Sequence, residues 1–199
     1  MGQPATTTTR QAALFQRGVW LEYATLGWNV VEIGFLIVAA IAAGSVALSG
    51  FAIDSFIEIF ASLVVLWHLR GVPADRERRA VRLIGIAFLG LAAFIAGQIV
   101  VVVVADIRPD SSPLGIAWLT ATCAVMLTLA AGKARIGALT GNRVFATEAR
   151  VTLIDALLAA GILAGLLLNE LFGWWWADVA AGGILIAYGL YEGVHALSS

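Results

Sequence analysis

Six long apolar runs, separated by short polar clusters, dominate the chain. They lie at about 20–43, 46–69, 82–105, 114–133, 147–169 and 174–196. A transmembrane helix needs roughly 20 mostly apolar residues, and each run is about that long. The four prolines all lie outside the runs, and the ten-residue alternating segments typical of a membrane β-barrel do not occur. The pattern predicts an all-α membrane protein with six transmembrane helices.

The overall composition agrees with this prediction. Hydrophobic residues make up 61% of the 199 residues and charged residues only 13%, whereas soluble domains are about half apolar and a quarter charged. Residues 1–18 include four consecutive threonines, and we expect them to form a disordered cytoplasmic tail. Residues 19–199 are then one six-helix transmembrane domain. No soluble C-terminal domain is expected after the sixth run.

Placement of the basic residues predicts the orientation. Six spans put both termini on one side of the membrane. Eleven of the twelve Lys and Arg residues fall on that side: Arg10, Arg17, Arg70, Arg76, Arg78, Arg79, Arg82, Lys133, Arg135, Arg143 and Arg150. Only Arg108 falls opposite. The positive-inside rule therefore places both termini in the cytoplasm, and we expect a multi-pass protein of the plasma (inner) membrane.

Four acidic residues lie well inside the runs: Glu32, Asp54, Glu58 and Asp155. Ionisable side chains are costly inside a bilayer and usually mark a functional site. We expect no Lys or Arg at comparable depth, so these acids must be protonated, face water or bind a cation. Asp54 and Glu58 are four residues apart and share one helix face, where two like charges repel unless something positive lies between them.

The other acidic residues of the runs lie nearer the membrane surfaces. Glu148 is close to the inner end of the fifth run, where it is either a cytoplasmic vestibule residue or a solvated helix end. Glu22 and Glu192 are near the inner interface, and we expect their side chains to reach water. Asp178, near the outer end of the sixth run, is expected to have a structural hydrogen-bonding role.

The second run carries a recognisable motif. Its start, Gly-Ser-Val-Ala-Leu-Ser-Gly-Phe-Ala-Ile-Asp-Ser-Phe-Ile-Glu at 44–58, resembles the second-helix signature of the cation diffusion facilitator family. In that signature Asp54 and Glu58 take the two metal-ligand positions. Asn29 falls on a first-helix Asn typical of the family. Residues 173–178 and the run that follows resemble the family's sixth helix, so the resemblance covers most of 20–196.

The fifth run resembles the family's fifth helix. Asp155 takes the position of the final metal-binding Asp, and Glu148 that of an earlier acid. Val151 stands where the family has a metal-binding His, so a four-ligand site loses one ligand. Thr152, Glu32 and water are the candidates to replace it. The resemblance thus implies a metal site of Asp54, Glu58 and Asp155, with Glu32, Glu148 and Thr152 as possible accessory residues.

The missing soluble domain makes the chain similar to the short, transmembrane-only branch of the family, which includes vertebrate vesicular zinc-transporting relatives. The resemblance implies a divalent metal transporter for zinc or manganese that works by proton-coupled efflux and alternating access. It also implies a homodimer held by helix packing. Carboxylates are hard donors suited to manganese, and zinc accepts them as well.

Expected partners are the metal cation as substrate, protons and the lipid bilayer, with no nucleic acid and no tightly bound cofactor. Two other interpretations stay open. The chain could be a non-transporting membrane partner or chaperone on a degenerate transporter scaffold, or a transporter of small organic cations. An enzyme is not expected, because the sequence contains no nucleophile–base pair or cofactor motif.

Overall fold

The computed structural model describes residues 5–69 and 74–198. This part of the chain folds into six α-helices and contains no β-strand. They are α1 (Ala5–Ala43), α2 (Val46–Leu69), α3 (Ala74–Val104), α4 (Pro113–Thr140), α5 (Arg143–Phe172) and α6 (Trp176–Ser198). The prediction of an all-α protein is confirmed, and each predicted apolar run falls mainly within one helix.

Five of these helices, α1 to α5, contain segments long and apolar enough to cross a membrane. The sixth, α6, is not among them. It has 23 residues and a length of about 35 Å, which is enough for a crossing, and it carries Asp178, Glu192 and His195. The architecture is therefore that of a multi-pass membrane protein with five or six crossing helices.

The N-terminal segment differs from the prediction. Residues 5–18, expected to be disordered, form the first turns of α1, and residues 1–4 lie outside the described part of the chain. Gly18 lies directly against the ring of Phe145 on α5, where any side chain would collide with it. Phe15 packs edge-on against the same ring, with 5.6 Å between ring centroids. These contacts hold the start of α1 to α5.

The connection between the fourth and fifth apolar runs, expected to be an inner loop at about 134–146, is also much shorter than expected. Helix α4 continues to Thr140, and α5 begins at Arg143. Gly141 ends α4 in the left-handed conformation, with φ of 67°, and the side chain of Asn142 accepts a hydrogen bond from Val144 N at 2.8 Å. Two capping residues are therefore the whole connection, and several residues assigned to the loop are helical.

The two ends of the bundle differ in character. We call the end with the start of α1 and the end of α6 the terminal end, and the opposite end the turn end. At the turn end, Asp178 accepts hydrogen bonds from Ser45 Oγ and from Val46 N at 2.9 Å. The first turn of α6 thereby caps the start of α2, which confirms the structural role predicted for Asp178.

An apolar core fills the half of the bundle near the turn end. Helix α2 contacts α1, α3, α5 and α6, while α3 packs on α6 and α4 packs on both α1 and α5. The fully buried side chains of this core include Leu36, Leu48, Phe51, Ile95, Leu119, Ile162, Leu166 and Leu185. Polar and charged buried side chains lie mainly between this core and the terminal end.

Close packing between α3 and α6 gives a test of the fold. A Cβ atom on Gly193 would lie 2.7 Å from Leu89 Cδ2 and 3.0 Å from the carbonyl oxygen of Gly85, whereas one on Gly183, in the same helix, would meet nothing within 4 Å. Gly193→Ala should therefore lower the free energy of unfolding by about 1–3 kcal/mol through overpacking.

Thermal unfolding of the detergent-solubilised protein measures this effect. Gly183→Ala is the matched control, and it should be neutral or stabilising by up to about 1 kcal/mol because Ala favours the helix. Equal melting temperatures for the two variants would contradict the packing of α3 on α6.

Candidate metal centre

Three acidic side chains from two helices meet in the middle of the bundle. Asp54 and Glu58 lie one turn apart on α2, and Asp155 lies on the facing part of α5. One carboxylate oxygen from each residue lies within 4.8 Å of the other two. All three side chains are buried, with exposed fractions of 0%, 7% and 2%. The structure thus brings together the three residues that the sequence predicted as metal ligands, which we call the carboxylate triad.

Most oxygens of the triad have no hydrogen-bond donor. Within the described residues, neither carboxylate oxygen of Asp54 and neither of Asp155 has a partner. A buried carboxylate without donors is costly, and like charges so close together repel. The triad can reduce this cost by binding protons or a cation, which makes it a candidate metal site.

Asn29 on α1 supports the triad from the side. Its side-chain Nδ2 donates a hydrogen bond to Glu58 Oε2 at 3.1 Å, and the residue is fully buried. Its carbonyl oxygen Oδ1 has no partner among the described residues. A further oxygen of the kind that binds hard metal ions therefore lies next to Glu58. In the sequence, only the family resemblance points to Asn29, and it implies no role for this residue. An uncharged amide in an apolar run does not by itself indicate a functional site.

Glu32, a predicted accessory ligand, is not a member of the triad. One of its oxygens accepts a hydrogen bond from Thr122 Oγ1. The other lies 3.3 Å from Ser55 Oγ, whose single proton has a nearer acceptor in the Phe51 carbonyl oxygen at 2.9 Å. The Glu32 side chain is fully buried, and its contacts are with these hydroxyl groups of α4 and α2.

Glu148 and Thr152, the other two accessory candidates, face a lysine instead of the triad. Lys133 Nζ lies 3.0 Å from Thr152 Oγ1 and 3.8 Å from Glu148 Oε2. It also forms an ion pair with Glu22 Oε2 at 2.9 Å. The side chains of Lys133 and Glu22 are fully buried.

One expectation from the sequence is therefore wrong, because Glu22 does not reach water. Its partner Lys133 is the last residue of the fourth apolar run, and α4 continues seven residues beyond it to Thr140, about 10 Å further along the helix axis. Lys133 therefore lies well inside α4, buried between α1 and α5 and nearer the terminal end than the triad.

A cavity connects the triad to the terminal end of the bundle. It has a volume of about 350 Å³, and Glu58 and Asp155 both line it. Glu148 near the start of α5 and His195 near the end of α6 line the same cavity, as does Val151. The cavity therefore extends from the carboxylate triad toward the terminal end, whereas buried apolar side chains pack on the other side of the triad.

Comparison with known proteins adds no family to these observations. No protein-family model matches the chain, and no match was found among curated proteins. The resemblance to the cation diffusion facilitator family therefore stays a prediction. The contacts of the triad itself are therefore the basis for deciding which ions the site can bind.

Crowding of the triad leads to a prediction about stability. Asp155→Asn removes one of three buried like charges and keeps the shape of the side chain. In metal-free detergent at pH 8 it should raise the free energy of unfolding by about 0.5–2 kcal/mol, as is common when a functional site is relieved of strain.

Thermal unfolding in the presence of a chelator measures this change. Glu170→Gln, at an exposed acid of the same helix, is the control and should leave the melting temperature unchanged. A lower melting temperature for Asp155→Asn would indicate that the carboxylate stabilises the fold, in which case repulsion within the triad is not the dominant effect.

Proposed function

We propose that this protein transports a divalent metal cation, zinc or manganese, across a membrane in exchange for protons. The observation that carries the proposal is the carboxylate triad: three buried acids from two helices, with oxygens within 4.8 Å of one another and four of their oxygens without a hydrogen-bond partner in the described structure. Ionisable groups inside a membrane bundle mark ion pathways and proton relays.

The spacing of the oxygens favours a single inorganic ion. Three atoms that are at most 4.8 Å apart lie within about 2.8 Å of a common centre, and zinc–carboxylate distances are about 2.0–2.2 Å. Movements of less than about 1 Å by each side chain would complete such a site. A quaternary ammonium ion is larger and would need its acidic contacts further apart, so the spacing favours a metal over a substrate of that kind.

The shape of the bundle supports transport by alternating access. The cavity leads from the triad to the terminal end, while Leu48, Phe51 and Ile162 are buried between the triad and the turn end. With the termini in the cytoplasm, as the basic residues predict, this is an inward-facing arrangement from which the metal is taken up. Rocking of helices about a fixed central site would then open the other side.

Proton coupling follows from the same crowding of carboxylates. Acids that share a site compete for protons as a group, and protonation of one reduces repulsion among the rest. A metal ion that enters the triad displaces those protons, and protons arriving on the far side weaken the site and release the metal. Proton exchange can therefore take place within the triad itself.

The experiment that tests the function uses the purified protein in lipid vesicles. Asp54→Ala and Asp155→Ala should each reduce metal-driven proton flux at least tenfold, since loss of one ligand or its close support typically costs 10–100-fold in metal affinity. Glu170→Ala, at an exposed acid on α5, should transport as the unchanged protein does. Unchanged flux in both triad variants would exclude the site.

Position 151 tests the choice of metal. Val151 lies in the wall of the cavity that Glu58 and Asp155 line, one helical turn before Asp155 and on the same face of α5. Val151→His should add an imidazole nitrogen, which suits zinc better than manganese, and should raise the zinc-to-manganese affinity ratio by roughly tenfold.

Calorimetric titration with each metal measures that ratio. Val151→Leu keeps the position apolar and is the control, with no expected change in preference. A histidine variant with the same ratio as the unchanged protein would show that position 151 does not face the bound ion.

A further inference from the structure

A second buried group of charges lies closer to the terminal end than the triad. It consists of Lys133, Glu22, Glu148 and Thr152, and we call it the Lys133 cluster. Lys133 Nζ donates to Glu22 Oε2 at 2.9 Å and to Thr152 Oγ1 at 3.0 Å, with Glu148 Oε2 at 3.8 Å. The cluster joins α1, α4 and α5, and none of its members belongs to the triad.

The charges of this cluster do not balance. Two carboxylates surround one ammonium group, which leaves one negative charge in excess. The second oxygen of Glu22, Oε1, is buried and has no hydrogen-bond partner among the described residues. The hydroxyl of Thr152 donates to the carbonyl oxygen of Glu148 at 2.9 Å, so it does not donate to either carboxylate. An uncompensated charge in such a place is costly, and one proton shared by the two acids would remove it.

We propose that the Glu22–Glu148 pair is a proton-binding site of its own, separate from the triad, which carries a proton exchanged for the metal. This inference rests on the proposed transport function. Glu148 lies seven residues before Asp155 on α5, about 10 Å along the helix axis, so the pair is too far away to supply a ligand to an ion held at the triad. It lies close enough to respond to the charge of that ion.

Water in the cavity gives the pair its supply of protons. The Glu148 side chain is 13% exposed and lines the same cavity as Glu58 and Asp155. When the metal leaves, a hydronium ion in the cavity gives its proton to a Glu148 oxygen, becomes water, and brings the cluster to zero net charge. When a metal binds, that O–H bond breaks and the proton returns to water.

The distance between the two sites sets the strength of their coupling. Two unit charges about 10 Å apart change each other's binding equilibrium by roughly tenfold at an effective dielectric constant of about 20, and a divalent ion has a larger effect. Metal at the triad and a proton at the pair therefore oppose each other without sharing an atom.

Other ionisable groups face Glu148 from the neighbouring helices. Glu22 lies on α1, Lys133 on α4 and Glu58 on α2. Glu192 and His195 of α6 line the opposite wall of the cavity. Helix α3 contributes Ile84 and Phe88 to this wall, neither of which is ionisable. Among the ionisable residues whose side chains the structure describes, only Glu22 and Lys133 are in the same buried cluster as Glu148.

Glu148→Gln tests the proposal because it removes the excess carboxylate and leaves the Lys133–Glu22 ion pair in place. The measurement is the number of protons released per metal bound, obtained by calorimetry in buffers of different ionisation enthalpy. It should fall by about one, while metal affinity at a fixed pH changes less than in Asp155→Asn. Glu192→Gln, on the opposite wall, is the control and should release as many protons as the unchanged protein.

A metal-independent measurement completes the test. In the metal-free protein, the infrared carbonyl band of protonated carboxylic acids should lose the contribution of one group in Glu148→Gln. Glu22→Gln should give the same loss and replaces the first variant if that one does not fold. An unchanged band together with an unchanged proton count would overturn the proposal and leave the cluster a purely structural ion pair.

These outcomes separate the two proposals. If Asp155→Asn abolishes metal binding and Glu148→Gln leaves the proton count as it was, only the second proton site fails. If the unchanged protein binds no metal, the transport function fails, and the infrared band alone then decides whether the Glu22–Glu148 pair holds a proton.

Discussion

The cost of placing negative charge away from water governs this structure. Asp54, Glu58 and Asp155 are buried in a bundle whose helices are apolar enough to cross a membrane, and few of their oxygens have a donor. Packing energy has to hold them there, because nothing among the described side chains neutralises them. The tight apolar core at the turn end provides that packing, and the polar half of the bundle is built on it.

Much of the fold and the central site could be predicted from the sequence. Long apolar runs predicted the helices, and the four-residue spacing of Asp54 and Glu58 predicted that they share one helix face. The family resemblance added Asp155 to this pair. The role of Asp178 was also predicted, because an acid near a helix end usually accepts hydrogen bonds there. These features depend on local spacing and on rules that hold for any membrane helix.

Features that depend on contacts between helices were missed. Lys133 is the last residue of the fourth apolar run, so hydropathy placed it at the membrane edge, although α4 continues seven residues past it and its side chain is buried against Glu22. The same contact removes Glu22 from water. Asn29 is uncharged, so the apolar run does not indicate it as a site residue. Its hydrogen bond to Glu58 depends on the packing of α1 beside α2. Glu148 and Thr152 were predicted as possible accessory residues of the metal site, Thr152 as a replacement for the missing His ligand, and both contact Lys133.

Several ties between helices lie within two sets. Lys133 links α4 to α1 and α5, while Asp178 links α6 to α2, and α3 packs closely on α6 through Gly85 and Gly193. Helices α1 and α2 also pack on each other, so the two sets are not separate bodies. The triad has two acids on α2 and one on α5, and these two helices have few other contacts. An ion bound by the triad would therefore be a main link between α2 and α5, and its release would remove that link.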